Sequence, residues 1–335
     1  MTSTAKLAQP MNTAKLDATA VERGFEEYRS ELVAYCYRML GSAFEADDAV
    51  QETLVRAWRS FDSFEGRAAL RSWLYRIASN VCFDMLKGRQ RRAMPIDLME
   101  PGRGDGTVGG TLPEHVWLGP IPDGRVVSMT ADPAEQAVVR ESVRLAFVAA
   151  LQHLPPRQRA VLILREVLRW KASEVAELLD TTVVSVNSAL QRARSTLADN
   201  QVDHTTAAEP TDRAQQDLLA RYVDAFEWFD VETMVSLLHA DATMMMPPYP
   251  LWMRGAAEYG KWMRGAGCGC RGSRLAPVAA NGVPAFAQWR SSPDGGYDAW
   301  SIHTLEISNG CITGINFFVD PNLFALFGLP TRLED

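Results

Sequence analysis

Asn187, Ser188, Gln191 and Arg192 share one face at helical spacing, and their amides, hydroxyl and planar guanidinium can hydrogen-bond base edges in a DNA major groove. A second polar set, Asp48, Gln51, Glu52 and Arg56, is acidic at its start. Glu45, Asp47 and Asp48 suit the positive end of a helix dipole, but Gln51, Glu52 and Arg56 carry the face beyond its reach. A third face interleaves Arg71, Tyr75, Arg76, Asn80, Asp84 and Lys87, a mixture of cations, a ring and amides that suits unstacked bases and phosphates. Core packing is the alternative for the ring. Cys268-Gly269-Cys270 lacks the further His or Cys of a zinc site, so no metal, cofactor or catalytic residue is assigned.

The elements that must hold these groups are helices. Val183, Val186, Leu190, Ala193 and Leu197 form one apolar stripe, and Thr182 stands ahead as N-cap, so a helix starts near Val183. The preceding helix, Ala172 to Leu179, buries Val175, Ala176 and Leu179, and Asp180-Thr181 makes the turn between the two. Lys171 stands where a capping Ser or Thr is expected, at a cost of about 1 kcal/mol unless Ser173 caps a shorter helix. A helix after Leu154-Pro155-Pro156 buries Val161, Leu164, Val167 and Leu168. The pattern reads as a helix-turn-helix, with a plain helical bundle as the alternative.

Helical periodicity also marks Val21 to Gly41, Glu45 to Ser60, and Ala69 to Arg92 with Leu70, Trp73, Leu74, Ile77 and Val81 inward. Prolines 95, 101, 113, 120, 122 and 133 and many glycines predict a linker without regular elements over 94–132, although His115 to Pro120 is apolar for a spacer. One amphipathic helix, Ala134 to Leu151, follows. The net charge of −7 is unevenly spread. Lys87, Arg89, Arg91 and Arg92 form a basic run and 155–197 is net positive, whereas the last 120 or so residues are net negative. Local potential steers phosphate binding. A chain of 335 residues, 47% hydrophobic and 22% charged, fits two or three globular domains. Five cysteines, no apolar leader and no long apolar run predict a cytoplasmic protein without disulfides or membrane insertion.

Asp47 to Trp58, followed by Leu70 to Cys82, resembles region 2 of the sigma-70 family. Leu154-Pro155-Pro156-Arg157-Gln158-Arg159, with the helix-turn-helix ending Leu190-Gln191-Arg192-Ala193-Arg194, is similar to region 4. Their order and spacing resemble the small extracytoplasmic-function class. The resemblance implies that Asp48, Gln51, Glu52 and Arg56 grip core RNA polymerase. Phe64 and Arg67 in the loop, with Tyr75, Arg76, Asn80, Asp84 and Lys87, would capture a melted −10 element. Asn187, Ser188, Gln191 and Arg192 would read the −35 element of promoter DNA, and the 94–132 linker would thread a polymerase channel, with packing of its apolar stretch on the chain's own domains as the alternative. The implied organisation is a tail (1–20), region 2 (21–93), the linker (94–132), region 4 (133–200), a second linker (201–212) and a further domain (213–335).

That further domain opens with two helices around Phe229-Asp230, then changes period. Ala285 to Arg290, Ala299 to Ile307 and Cys311 to Val319 read as strands, separated by the turns Pro293-Asp294-Gly295-Gly296 and Asn309-Gly310. This predicts an α+β unit with a curved antiparallel sheet. Arg221 to Val231, Asp241-Ala242-Thr243 and Arg254-Gly255 resemble the SnoaL-like, ketosteroid-isomerase-like cone. Such a cone would enclose a pocket lined by Tyr222, Met246, Trp252, Trp289 and His303, with Met244, Tyr249, Trp262 and Phe317 also available, unless these are core. Where the isomerases carry a general-base Asp, this chain has Met244 to Met246, and a thioether accepts no proton. Tyr222 persists as a pocket hydroxyl and His303 is the other candidate base.

The reading that follows is two all-α sigma domains and an α+β cone, a promoter-specificity subunit with a regulatory domain and no enzymatic activity. Its expected partners are core RNA polymerase and promoter DNA, with a small apolar ligand or an anti-sigma protein as further candidates. The alternatives are a bifunctional protein whose cone turns over a small molecule, and a one-component repressor. The repressor needs no acidic clamp-binding face.

Overall fold

A computed structural model of the chain describes residues 18–61, 70–127, 132–199 and 213–334. The expected tail through residue 17, the loop bearing Phe64 and Arg67, and the 201–212 linker lie outside these residues.

Three helices open the chain: α1 (Ala18–Leu40), α2 (Ala43–Arg59) and α3 (Leu70–Leu86). Gly41, at φ 75°, stops α1, and the Ser42 hydroxyl caps α2 by accepting the Glu45 N–H at 3.3 Å. The third helix stops at Leu86, short of the expected Arg92, where Gly88 at φ 74° turns the chain. Arg92 is therefore no part of a solvated helix end. Its buried guanidinium donates to the Trp117 carbonyl at 2.5 Å and pairs with Glu45 at 3.0 Å.

The expectation of an irregular spacer over 94–132 is corrected. It contains α4 (Pro95–Leu98), a 3₁₀ turn at Glu114–Val116 and α5 (Asp123–Val126). Ala93 bridges Trp117, and Trp117, Leu118, Ile121, Val126 and Val127 are buried. Proline and glycine punctuate this segment, but its apolar residues fill grooves on the rest of the chain.

The single helix expected over 134–151 breaks at Val143-Arg144 into α6 (Pro133–Ser142) and α7 (Leu145–Gln152). Next come α8 (Pro156–Leu162), which runs on as a π turn through Val167, then α9 (Ala172–Leu178) and α10 (Val183–Asp199).

The last unit has α11 (Arg213–Glu227), α12 (Val231–Ser236), α13 (Ala256–Arg264) and α14 (Asn322–Leu326) around strands β1 (Leu238–Met245), β2 (Trp252–Arg254), β3 (Arg274–Ala280), β4 (Val283–Ser291), β5 (Tyr297–Ser308), β6 (Cys311–Phe318) and β7 (Arg332–Leu333). The sheet order is β2-β1-β6-β5-β4-β3, with β7 on β5. It is mixed and not purely antiparallel, because β1 pairs with β6 in parallel. Its concave face closes on α11, α12 and α13 around Tyr222, Phe226, Trp262, Phe286 and Phe317. Its other face, with Trp289, Ile302 and Phe318, joins the core shared by the helical domains.

Candidate nucleic-acid interface

The helix-turn-helix rests on local chemistry that the sequence states almost completely. Asp180 takes φ 49° and the Thr181 N–H donates to the Ala176 carbonyl at 2.9 Å, closing α9 with an Asx residue in place of glycine. Thr182 caps α10 by accepting the Ser185 N–H at 3.1 Å. The missing cap on α9 is compensated from inside the helix, since the Glu174 carboxylate accepts the Lys171 N–H at 2.6 Å. Val186, Leu190 and Ala193 are buried, but Val183 stays exposed because the stripe begins one turn into the helix. The opposite face leaves Asn187, Gln191 and Arg192 exposed and Ser188 half-buried. Arg192 makes no ion pair among the described residues, whereas neighbouring Arg194 binds Glu166 at 2.5 Å. A free guanidinium beside two amides on an open helix face can read base edges.

On the first domain, Asp48 and Gln51 are exposed. Arg56 is braced between Glu52 at 2.7 Å and Asp84 at 2.9 Å, and these two carboxylates, Glu52 foremost, raise its pKa. The α2 and α3 faces are thus one continuous polar surface, with Asn80 and Lys87 exposed on the α3 side. Arg76 is exposed too, and its Nη2 donates to the Glu177 carbonyl of α9 at 2.7 Å.

Tyr75 does not belong to that surface. Its side chain is fully buried, its ring centroid 5.2 Å from that of Tyr35 and 5.1 Å from that of Trp170. Arg71 covers the same seam, 5.3 Å from the Trp170 ring. Helix α3 has two partners, α1 and α2 on one side and the helix-turn-helix domain on the other, so its buried face is wider than the stripe expected. Arg159 ties this seam from the other domain. Burial pushes its pKa down to about 10, and it donates to the Met39 carbonyl and to Gln152 Oε1 at 2.7 Å.

The third unit docks on the linker and on the α6–α7 break. Arg144 pairs with Glu306 at 3.2 Å, and burial raises the Glu306 pKa despite that cation. Asn281, between β3 and β4, donates from Nδ2 to the Val143 carbonyl and to the Tyr37 hydroxyl, both at 2.7 Å, and accepts the Ile121 N–H at 3.0 Å. The polar face of α10 stays clear of these contacts.

The expected pocket residues are not gathered in one place. The cone cavity, about 300 Å³, is lined by Met246 with Phe226, Tyr249, Trp262, Trp300 and Phe317 among others. Trp289 points through the opposite sheet face, where its indole N–H donates to the Pro330 carbonyl at 3.0 Å. Trp252 caps the linker, donating to the Met99 carbonyl at 2.6 Å. Tyr222 and His303 lie behind the cavity wall, bonded to each other at 3.1 Å. His303 Nε2 faces Gln288 Oε1 at 2.8 Å, an acceptor, so the Nε2 proton is donated there and Nδ1 accepts from Tyr222. Both ring nitrogens are occupied, and burial pushes the His303 pKa down to about 3. Among the described residues no group of three His, Cys, Asp or Glu side chains could hold a metal. In the same residues no helix is long and apolar enough to cross a membrane.

Comparison with known proteins matches these units in order: Sigma-70 region 2 over residues 25–92, Sigma-70 region 4 over 144–197 and a SnoaL-like domain over 219–315. The chain is 45% identical over 320 residues to the ECF RNA polymerase sigma factor SigG of Mycobacterium tuberculosis, covering 92% of this chain and 83% of that one. It is 30% identical over 219 residues to the ECF RNA polymerase sigma factor SigJ of the same organism, covering 65% and 62%. The crystal structure of SigJ shares the fold at a TM-score of 0.58 and 23% identity, covering 92% of this chain and 99% of that one. With an open helix-turn-helix face, a polar α2–α3 surface and a cone packed behind them, the chain belongs to the extracytoplasmic-function RNA polymerase sigma factors.

Proposed function

We propose that the three units, 21–93, 133–200 and 213–335, divide the work of promoter-directed initiation with core RNA polymerase. In this reading Asp48, Gln51, Glu52 and Arg56 bind the core enzyme. Arg76, Asn80, Asp84 and Lys87 meet the melted strand, together with Phe64 and Arg67. Asn187, Ser188, Gln191 and Arg192 read the −35 duplex. The observation that carries the assignment is selective exposure. The helical domains share one apolar core, and Asp48, Gln51, Asn187, Gln191 and Arg192 remain exposed outside it. Acidic Asp48 repels phosphate, so its face suits a protein partner.

The cone acts in this reading as a regulator that holds the two DNA-facing domains in a closed arrangement through Asn281, Arg144 and the linker. Core polymerase or promoter DNA would release it only by binding the open arrangement more tightly. Docked on the linker and on the α6–α7 break, the cone regulates by geometry and not by covering the recognition helix with negative charge.

The test is association with purified core enzyme. Asp48→Ala with Gln51→Ala is expected to abolish binding while the circular dichroism and melting of the protein stay unchanged. Core binding at the parent affinity in that double variant would overturn the assignment of this face.

A further inference from the structure

Among the described residues Arg290 is the one charged side chain that lines the cone cavity, and nothing in the cone neutralises it. Its guanidinium carbon stacks 3.9 Å from the centroid of the Trp300 ring. On its other side runs the backbone of Gly269, so close that a Cβ there would come within 2.8 Å of Nη2. Nη2 donates to the Cys270 sulfur at 3.4 Å, a weak acceptor, and the buried Nε has no partner. The acid opposite it in the sheet, Asp298 on β5, is engaged by Arg332 at 3.0 Å. A buried N–H donor left without an acceptor is costly. The fold nevertheless builds this arrangement on purpose-shaped features. The β4–β5 register steps between Gln288↔Ser301 and Trp289↔Ala299, so Trp300 is an extra residue. That bulge turns its indole to the same face as Ser301 and places it over the guanidinium.

We propose that the cone cavity binds a small aromatic or acyl carboxylate whose carboxyl group pairs with Arg290. A planar guanidinium fork matches a carboxylate in two parallel hydrogen bonds. Apart from Tyr249, Gln288 and Cys270 the remaining wall is apolar and aromatic, so a phosphate would find few of the further donors its oxygens need. Tyr249 lines the same cavity, and its hydroxyl has no partner among the described residues. The Gln288 amide oxygen is taken by His303 and Ser301, and its nitrogen donates to Ser273. The volume suits a single ring or a short chain.

Val108 and Gly109 of the linker also line the cavity. The linker is fastened to the cone on both sides of them. The Gly102 N–H donates to the Trp252 carbonyl at 2.7 Å and the Gly104 N–H to the Glu258 carboxylate at 2.7 Å, while the Leu112 N–H donates to the Pro248 carbonyl at 2.9 Å. A ligand on Arg290 therefore sits beneath residues 105–111 and touches the segment that joins the two DNA-facing domains.

The experiment titrates the full chain with benzoate, phenylacetate and hexanoate, and with the neutral phenylacetamide, following tryptophan fluorescence and calorimetric heat. At least one acid is expected to bind in the millimolar range or tighter, at least tenfold more tightly than the amide, and to slow hydrogen exchange across residues 104–112. Arg290→Gln should erase the preference for acid over amide. Arg290→Lys, which keeps the charge and loses the fork, should retain part of it and controls for folding. Equal binding of acid and amide, unchanged acid binding in both variants, or no binding of any acid at millimolar concentration would overturn the proposal. None of these outcomes bears on core-enzyme association, which Asp48 and Gln51 test separately.

Discussion

Asn281 is one side chain on which three parts of the molecule converge, and replacing it with glycine should loosen all of them together. It sits fully buried at φ 53° in the β3–β4 turn, with its N–H donating to the Ile121 carbonyl at 3.1 Å. Its amide makes three further bonds, to Ile121 of the linker, Tyr37 of α1 and Val143 at the α6–α7 break. Asn281→Gly keeps the left-handed backbone available and removes only those three. At a net worth of about 0.5–1.5 kcal/mol each, the loss is about 1.5–4.5 kcal/mol. The Ile121 N–H, left buried without an acceptor, favours the upper half of that range. Amide exchange at Ile121 reads the opening directly, and a tenfold change corresponds to about 1.4 kcal/mol. Exchange there should accelerate by about ten- to a thousandfold. Asn281→Ala should lose about a further 1 kcal/mol, because alanine resists the left-handed region. Exchange at Ile121 within threefold of the parent in the glycine variant would refute the view that this amide joins the three units.

Other outcomes follow from single residues. His303 is neutral in the fold, with its pKa down at about 3, so an unfolded chain takes up the proton first as pH falls. Stability from this group is complete above about pH 6.5 and is lost on acidification toward 3, about 2 kcal/mol by pH 5. Urea titrations of the parent and His303→Gln across pH 7 to 5 should show the steeper loss in the parent, and equal slopes would exclude His303 as the cause. Arg192→Ala should weaken binding by about 1–3 kcal/mol at one −35 base position in a promoter set. An equal loss on every sequence would reassign Arg192 to phosphate. Gly104→Ala would drive a methyl into the Glu258 carbonyl and the Lys261 side chain, so the linker should lift locally, with faster exchange at residues 102–106 and a loss of about 1–3 kcal/mol. Parent-like exchange there would show that the close approach is dispensable.

The parts of this molecule that could be read from the sequence are those fixed by near neighbours. Thr182, Asp180 and the Val186-Leu190-Ala193 stripe define the helix-turn-helix within a few turns. Asn309-Gly310, both at positive φ, define a hairpin in the same way. Tyr75, Arg92 and Trp117 were out of reach because their partners, Trp170, Glu45 and Ala93, belong to other segments, and periodicity reports only that a face is buried and not how many partners bury it. The cone pocket shows the same boundary at finer scale. Strict alternation along β5 would put Trp300 on the face opposite Ser301 and His303, and only the cross-strand register reveals the bulge that turns it inward beside Arg290.

The linker composition has a further physical meaning. Gly102 and Gly104 read as spacer residues, yet a Cβ on Gly104 would collide with α13, and one on Gly102 would press within 3.3 Å of the Trp252 carbonyl. Their smallness lets a backbone lie directly on the cone and exchange hydrogen bonds with it. The linker is thereby shared: its ends are buried against α1 and α2, and its middle is fastened to the cone. Four bonds, from Gly102, Gly104, Leu112 and Trp252, hold that middle. At about 0.5–1.5 kcal/mol each they sum to about 2–6 kcal/mol. A coupling of that size moves a two-state population by about one and a half to more than four orders of magnitude. A partner that draws the linker away from the cone must overcome it, and a ligand that tightens the linker on the cone adds to it. In the proposed reading, the fused domain sets how readily the two helical domains separate without touching the faces assigned to DNA.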